Sequence, residues 1–253
     1  MAGGPGHVSG CVDTLLCASP PLPSMDYDAV FWDVGGVIID TESIRAAQRE
    51  FLARAVERYD LDHDLESARR TWRDTLSEHF AGREGRRYRT ARAGREKAAA
   101  ALFDGDPPAD WGDLFETVTN ETVRLNPGAE ETLRRIDEGG LYQAVVSDAD
   151  ADVAKRFEEH GIDAYVADVT TSEEVGYVKP DSRMFETALE KARSADVDPS
   201  RGVMVGDKYE NDMEGASSVG LSTAAYGAED GPAVDYRLAE LPDLLEVLGL
   251  ESG

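Results

Sequence analysis

Residues 29–40, Ala-Val-Phe-Trp-Asp-Val-Gly-Gly-Val-Ile-Ile-Asp, constrain the fold of this chain more than any other stretch. The apolar or small residues Ala29 to Trp32 predict a buried strand that runs out to Asp33. Gly35 and Gly36 follow at once, so the backbone bends tightly and leaves room for a ligand against main chain. Open α/β sheets place their chemistry at the carboxyl ends of such strands. An aspartate there acts as a nucleophile, as in enzymes that pass through an aspartyl-phosphate, or simply caps the turn.

The rest of the chain supports an α/β fold. Ile44, Ala47, Phe51, Ala55, Val56 and Tyr59 recur at helical spacing, and a second helix carries Leu65, Ala68, Trp72, Leu76 and Phe80. An Arg-dense stretch leads to Ala98–Phe103, the break Asp104-Gly-Asp-Pro-Pro108, and a helix with Trp111, Leu114, Phe115 and Val118. From Pro127 the texture alternates. Helices are predicted around Leu133–Ile136, Val153–Phe157, Pro180–Arg193, Asp212–Val219 and Leu241–Leu248. Strands are predicted at 141–147, 164–169, 202–206 and 221–226. Strands separated by helices imply a parallel sheet with right-handed crossovers. The helical block then reads as a lid inserted after the first strand: a core of 25–41 and 124–253, a cap of 42–123, and an N-terminal extension, 1–24, expected to be disordered, with Met25 opening the patterned sequence.

Charge narrows the partners. The 253 residues carry 51 acids against 26 Lys and Arg, a net charge of -25. Such acidity argues against a nucleic-acid backbone or an anionic membrane as partner. It fits a salt-adapted cytoplasmic protein whose self-repulsion is screened, or simply an acidic soluble enzyme; a monomer or a homodimer is expected. Both cysteines, Cys11 and Cys17, lie in the first 24 residues, which excludes a disulfide framework or Cys-based zinc site in the body. No stretch approaches the roughly 18–20 apolar residues of a membrane span.

Three more strand ends carry chemistry-bearing residues. Ser147 follows Ala144-Val-Val146; with the amides of Asp148 and Ala149 it forms either an anion-binding turn or an ordinary one. Lys179, in Gly176-Tyr-Val-Lys-Pro-Asp181, is one of only five lysines. It reads as a point charge aimed at a site or as a solvated surface group. Asp207 and Asp212, five apart in a strand-to-helix loop, suit a hard cation with oxygen ligands such as Mg²⁺.

In order and spacing, Asp33-Val-Gly-Gly-Val-Ile-Ile-Asp40-Thr41, Val146-Ser147, Gly176-Tyr-Val-Lys179-Pro-Asp181 with Met184-Phe185, and Gly206-Asp207…Asp212 with Gly215-Ala216 resemble the haloacid dehalogenase-like hydrolases. These motifs span residues 29–226. The resemblance implies a Rossmann-like core with a helical cap. It implies Asp33 as nucleophile, with Ser147 and Lys179 holding the phosphoryl group and Lys179 restraining Asp33. It also implies Mg²⁺ held by Asp33, the Gly35 carbonyl and Asp207, with Asp212 a ligand or just behind it. Phosphatases of that family usually carry a second Asp two residues after the nucleophile, as acid and base; here Gly35 stands there. Three readings remain open. They are a phosphatase of a small organic phosphate, a phosphate-binding or regulatory protein with little turnover, and a 2-haloacid dehalogenase, against which the retained Asp207 and Asp212 argue.

Between Arg69 and Lys97 nine Arg and one Lys face four acids, a local net charge of +6. Arg86, Arg87 and Arg89 there either recognise an anionic substrate or pair with the acidic surface.

Overall fold

The computed structural model describes Met1 and residues 27–250. Apart from Met1, the expected extension 1–24, with Cys11 and Cys17, lies outside the described residues.

Six parallel strands form one sheet in the order β3-β2-β1-β4-β5-β6. They are β1 (Ala29–Trp32), β2 (Tyr142–Ser147), β3 (Asp168–Thr171), β4 (Gly202–Gly206), β5 (Ser222–Tyr226) and β6 (Tyr236–Leu238). Every residue of β1 is buried, as its continuous apolar run requires when both faces are covered. One face carries Val30, Trp32, Val145, Val203 and Val205 against α5 (Ala129–Glu138) and α10 (Asp243–Val247). The other carries Phe31, Ala144, Val146 and Met204 against α8 (Ser182–Ser194) and α9 (Gly215–Ser218). Helices on both faces make this a Rossmann-like α/β fold. In register, Trp32 lies opposite Val145 on one side and Val205 on the other. Asp33, Ser147 and Asp207 therefore leave the sheet at one edge, with only a residue or two of stagger.

Between β1 and α5 run α1 (Thr41–Arg58), α2 (Leu65–Ala81), α3 (Ala91–Leu102) and α4 (Trp111–Thr122). They share a separate apolar cluster built on Phe51, Trp72, Ala98, Leu102 and Val118. Asp40 caps α1 by accepting from the amides of Glu42 and Ser43.

Several elements differ from the sequence expectation. The third strand is 168–171, not 164–169, and Asp163–Tyr165 is a 3₁₀ turn. Buried Thr170 and Thr171 pair with Val146 and Ser147, so polar β-branched residues fill positions that an apolar pattern passes over. The helix expected from Pro180 starts at Ser182, because Asp181 caps it by accepting from Arg183 N. The helix expected at 212–219 is a π-helical turn, Tyr209–Glu214, followed by the short α9. The last helix is shorter than 241–248. The three-residue β6 was not predicted; with one exposed and one half-buried residue it has no apolar run. Between β3 and α8 lies the four-residue α7 (Ser172–Val175), and α6 (Val153–His160) follows β2.

Candidate active site

Asp33 is anchored at the end of β1 by its amide, which donates to the Val205 carbonyl at 2.9 Å. The loop behind it folds on itself: Ile39 N donates to Val34 O, and Gly36 N to Ile39 O, both at 2.8 Å. Asn126 ties it down by donating to the carbonyls of Gly36 and Val37. Gly36 has φ +93°, and a Cβ there would lie 2.2 Å from Asp207 Oδ2. Only glycine lets this loop close onto Asp207. Gly35 is different: its φ is ordinary and a Cβ would meet nothing within 4 Å.

Lys179 reaches in from the loop before α8 and is 3% exposed. Its Nζ lies 2.9 Å from Asp33 Oδ1 and 2.5 Å from Asp212 Oδ1. Burial alone would depress this ammonium, but Asp212, Asp33 and Asp148 around it hold it above its ordinary value. The other oxygen of Asp212 accepts from the amides of Asp207 and Lys208 at 3.1 and 3.0 Å. Fully buried Asp212 thus sets the path of its own loop. Gly206 permits this, since a Cβ there would meet Asp212 Cβ at 2.2 Å.

Oxygens of Asp33, Asp207 and Asp212 all lie within 4.8 Å of one another. Asp207 Oδ1 is buried with no hydrogen-bond partner, the Lys208 ammonium standing off at 3.9 Å. Burial, with Asp33 and Asp212 beside it, pushes the Asp207 carboxyl up to about 6. Three carboxylates face the buried Lys179 ammonium and the exposed one of Lys208, and negative charge is left uncompensated. Unit charges 4 Å apart repel by about 4 kcal/mol at an effective dielectric of 20. An orphaned carboxylate oxygen in an all-oxygen cluster fits a hard divalent cation. A groove lined by Gly36, Thr41, Asn126 and Arg237 opens beside Asp207.

Ser147 ends β2, the strand paired with β1, and is 4% exposed. Asp148 enters differently from the sequence reading, which invoked its amide. Its carboxylate accepts from Lys179 N at 2.8 Å and from Ser172 Oγ at 3.0 Å, so it braces the Lys179 loop against β2. The three arginines separate. Arg86 is exposed, its guanidinium 3.9 Å from Glu210. Arg87, also exposed, lies 5.6 Å over the Tyr177 ring. Arg89 is half-buried and donates to the His79 carbonyl at the end of α2. Sequence reasoning missed Asp150, 3% exposed, which meets residues 88–95. The acidic run 148–152 after Ser147 was its only signal. Among the described residues no helix is long and apolar enough to cross a membrane.

The sequence pattern of haloacid dehalogenase-like hydrolases matches residues 27–220. The chain is 37% identical over 135 residues to a ribulose-1,5-bisphosphate 5-phosphatase of Halopiger xanaduensis, covering 51% of this chain and 55% of that one. It is 33% identical over 142 residues to a glyceraldehyde 3-phosphate phosphatase of Pyrococcus furiosus, covering 52% and 57%. The chain thus spans little more than half the length of these two relatives. A HAD phosphatase structure from Thermococcus onnurineus superposes with a TM-score of 0.67 at 24% identity, over 88% of this chain and 99% of that one, a likeness of fold.

Proposed function

The chain belongs to the haloacid dehalogenase-like hydrolase family, and from that membership we propose that it is a phosphatase of small phosphate esters, with the sugar phosphates named for its relatives as the first class to try. The observation that carries the reading is the contact of Lys179 Nζ with Asp33 inside a cluster of three carboxylates, one of them with a bare buried oxygen. In this reading α1–α4 are the cap, residues 42–123, over a core of 25–41 and 124–253.

Asp33 attacks phosphorus with one carboxylate oxygen, and the ester P–O bond breaks. Lys179 aims Asp33 through its ion pair, and Ser147 donates to a phosphoryl oxygen. Asp33, the Gly35 carbonyl and Asp207 would hold Mg²⁺, with Asp212 behind them on Lys179 and the loop amides. The ion would supply the charge neutralisation on which phosphoryl transfer depends. Water then cleaves the acyl phosphate and restores Asp33. Gly35 offers no proton to the leaving oxygen, so aryl phosphates, whose phenolates leave unprotonated, should turn over faster than alkyl ones. Arg86 and Arg87 remain the arginines able to meet a substrate anion, whereas Arg89 is held at α2.

The test is acid quenching during turnover of a ³²P-labelled ester with Mg²⁺. Label on the Asp33 peptide, absent in Asp33→Asn, is the expected result. Tight phosphate binding without label would mark a binder of little turnover. Halide release from a 2-chloro acid without Mg²⁺ would mark a dehalogenase.

A further inference from the structure

Asp33, Ser147 and Lys179 are each at most 5% exposed, and the segment between α2 and α3 packs against the loop that carries Lys179. Across this seam Lys155 pairs with Glu116 of α4 and Asn120 of α4 donates to Glu159, and a denser set of contacts lies on the segment Arg86–Arg95. Tyr88 N donates to Gly176 O at 2.9 Å and Val178 N to Arg86 O at 2.9 Å, a short antiparallel pairing against the loop of Lys179. Arg92 pairs with Glu173 at 3.0 Å.

The most deeply buried of these contacts is Asp150, three residues past Ser147. Its Oδ1 accepts from the Tyr88 hydroxyl at 2.5 Å and from Ala91 N at 2.8 Å; its Oδ2 accepts from Arg92 N at 2.7 Å. The Arg95 guanidinium stands 3.6 Å away. Ala91 and Arg92 open α3, and their amides have no partner within the helix. Thr90 caps only Ala93 N. The first turn of α3 is therefore completed by a carboxylate from the sheet side of the molecule, where the helix end favours negative charge. Opening hands those amides to water and leaves Asp150 without four neighbours at once.

Resting on the phosphatase reading above, we infer that Asp150 is a positioning residue. It caps α3 across the seam and sets the fraction of molecules in which the site is closed. Its chain neighbour Asp148 braces the Lys179 loop, so one five-residue turn after β2 ties Ser147, Lys179 and the helical unit together. Apparent affinity scales with the closed fraction, while the closed complex keeps its chemistry.

The test compares Asp150→Asn, Tyr88→Phe and the control Arg92→Ala, which removes an exposed ion pair but keeps the amide. With p-nitrophenyl phosphate and Mg²⁺, Asp150→Asn should raise KM about tenfold with kcat held within about twofold. Tyr88→Phe should shift KM the same way by less, and Arg92→Ala, which breaks only an exposed pair of the same seam, by no more than about twofold. Without substrate, amide exchange at Ala91 and Arg92 should quicken in Asp150→Asn while the sheet amides of Val145 and Val205 stay protected. A fall in kcat at constant KM, or exchange that quickens uniformly, would make Asp150 an ordinary fold residue and overturn the inference. If the wild type hydrolyses no ester, the phosphatase reading fails on its own, and the exchange pattern alone decides for or against Asp150.

Discussion

Two adjacent glycines mean opposite things. At Gly36 a methyl group would enter Asp207 Oδ2 from a backbone at φ +93°. Gly36→Ala should therefore displace Asp207 and weaken Mg²⁺ binding at least tenfold by calorimetry. At Gly35 there is open space and ordinary φ, so Gly35→Asp should fold normally and supply the missing acid. A positioned acid or base is worth roughly 10²–10⁴ in rate. Alkyl phosphate turnover should rise by about that factor and aryl turnover by much less; equal gains on both would show that proton supply is not what Gly35 withholds. Asp33, Ser147, Asp207 and Asp212 stand out in the sequence because each ends or follows a strand, whereas Lys179, in the loop between α7 and α8, stands out as a rare lysine before a proline. Asp150 does not: its partners lie 58–62 residues away, and no local pattern encodes that distance.

At the scale of elements, legibility followed periodicity. α1, α2 and α4 have apolar faces wide enough to read, whereas α3 opens in the Arg-dense stretch and only its end, from Ala98, shows in the pattern; β1 and β4 are apolar runs, and β2 is one broken by buried Gln143. The third strand slipped because its core positions are threonines, and the π-helical turn escaped because Asp212 side-chain bonds, not spacing, decide where it starts. The helical unit has its own cluster, in which Phe51 packs 5.1 Å from both Trp72 and Phe115. Truncating a buried Trp costs about 3–5 kcal/mol. Trp72→Ala should therefore melt α1–α4 before the sheet, splitting one thermal transition into two by circular dichroism. Trp72 Nε1 is buried without a partner, so Trp72→Phe removes an unsatisfied donor and should cost far less.

Over the whole molecule, charge sets how stability responds to pH. A net charge of -25 repels itself, and that repulsion grows as carboxylates ionise. Half-buried Asp207 adds a contribution of the same sign. Its carboxyl, raised to about 6, holds a proton more tightly in the folded chain than in the unfolded one. The stability it contributes is complete below about pH 4 and is lost as pH rises through 6. The two contributions differ in screening, because at 1 M salt the Debye length is only about 3 Å and surface charges are decoupled while buried ones are not. Metal-free protein should thus lose thermal stability between pH 5 and 7.5. Added NaCl at 2 M should shrink that loss without removing it. Millimolar Mg²⁺ should remove the remainder and Asp207→Asn only part of it, since burial raises the carboxyl of Asp212 as well. A pH response that salt abolishes entirely would place all of it on the surface and leave the carboxylate cluster with no cation to attract.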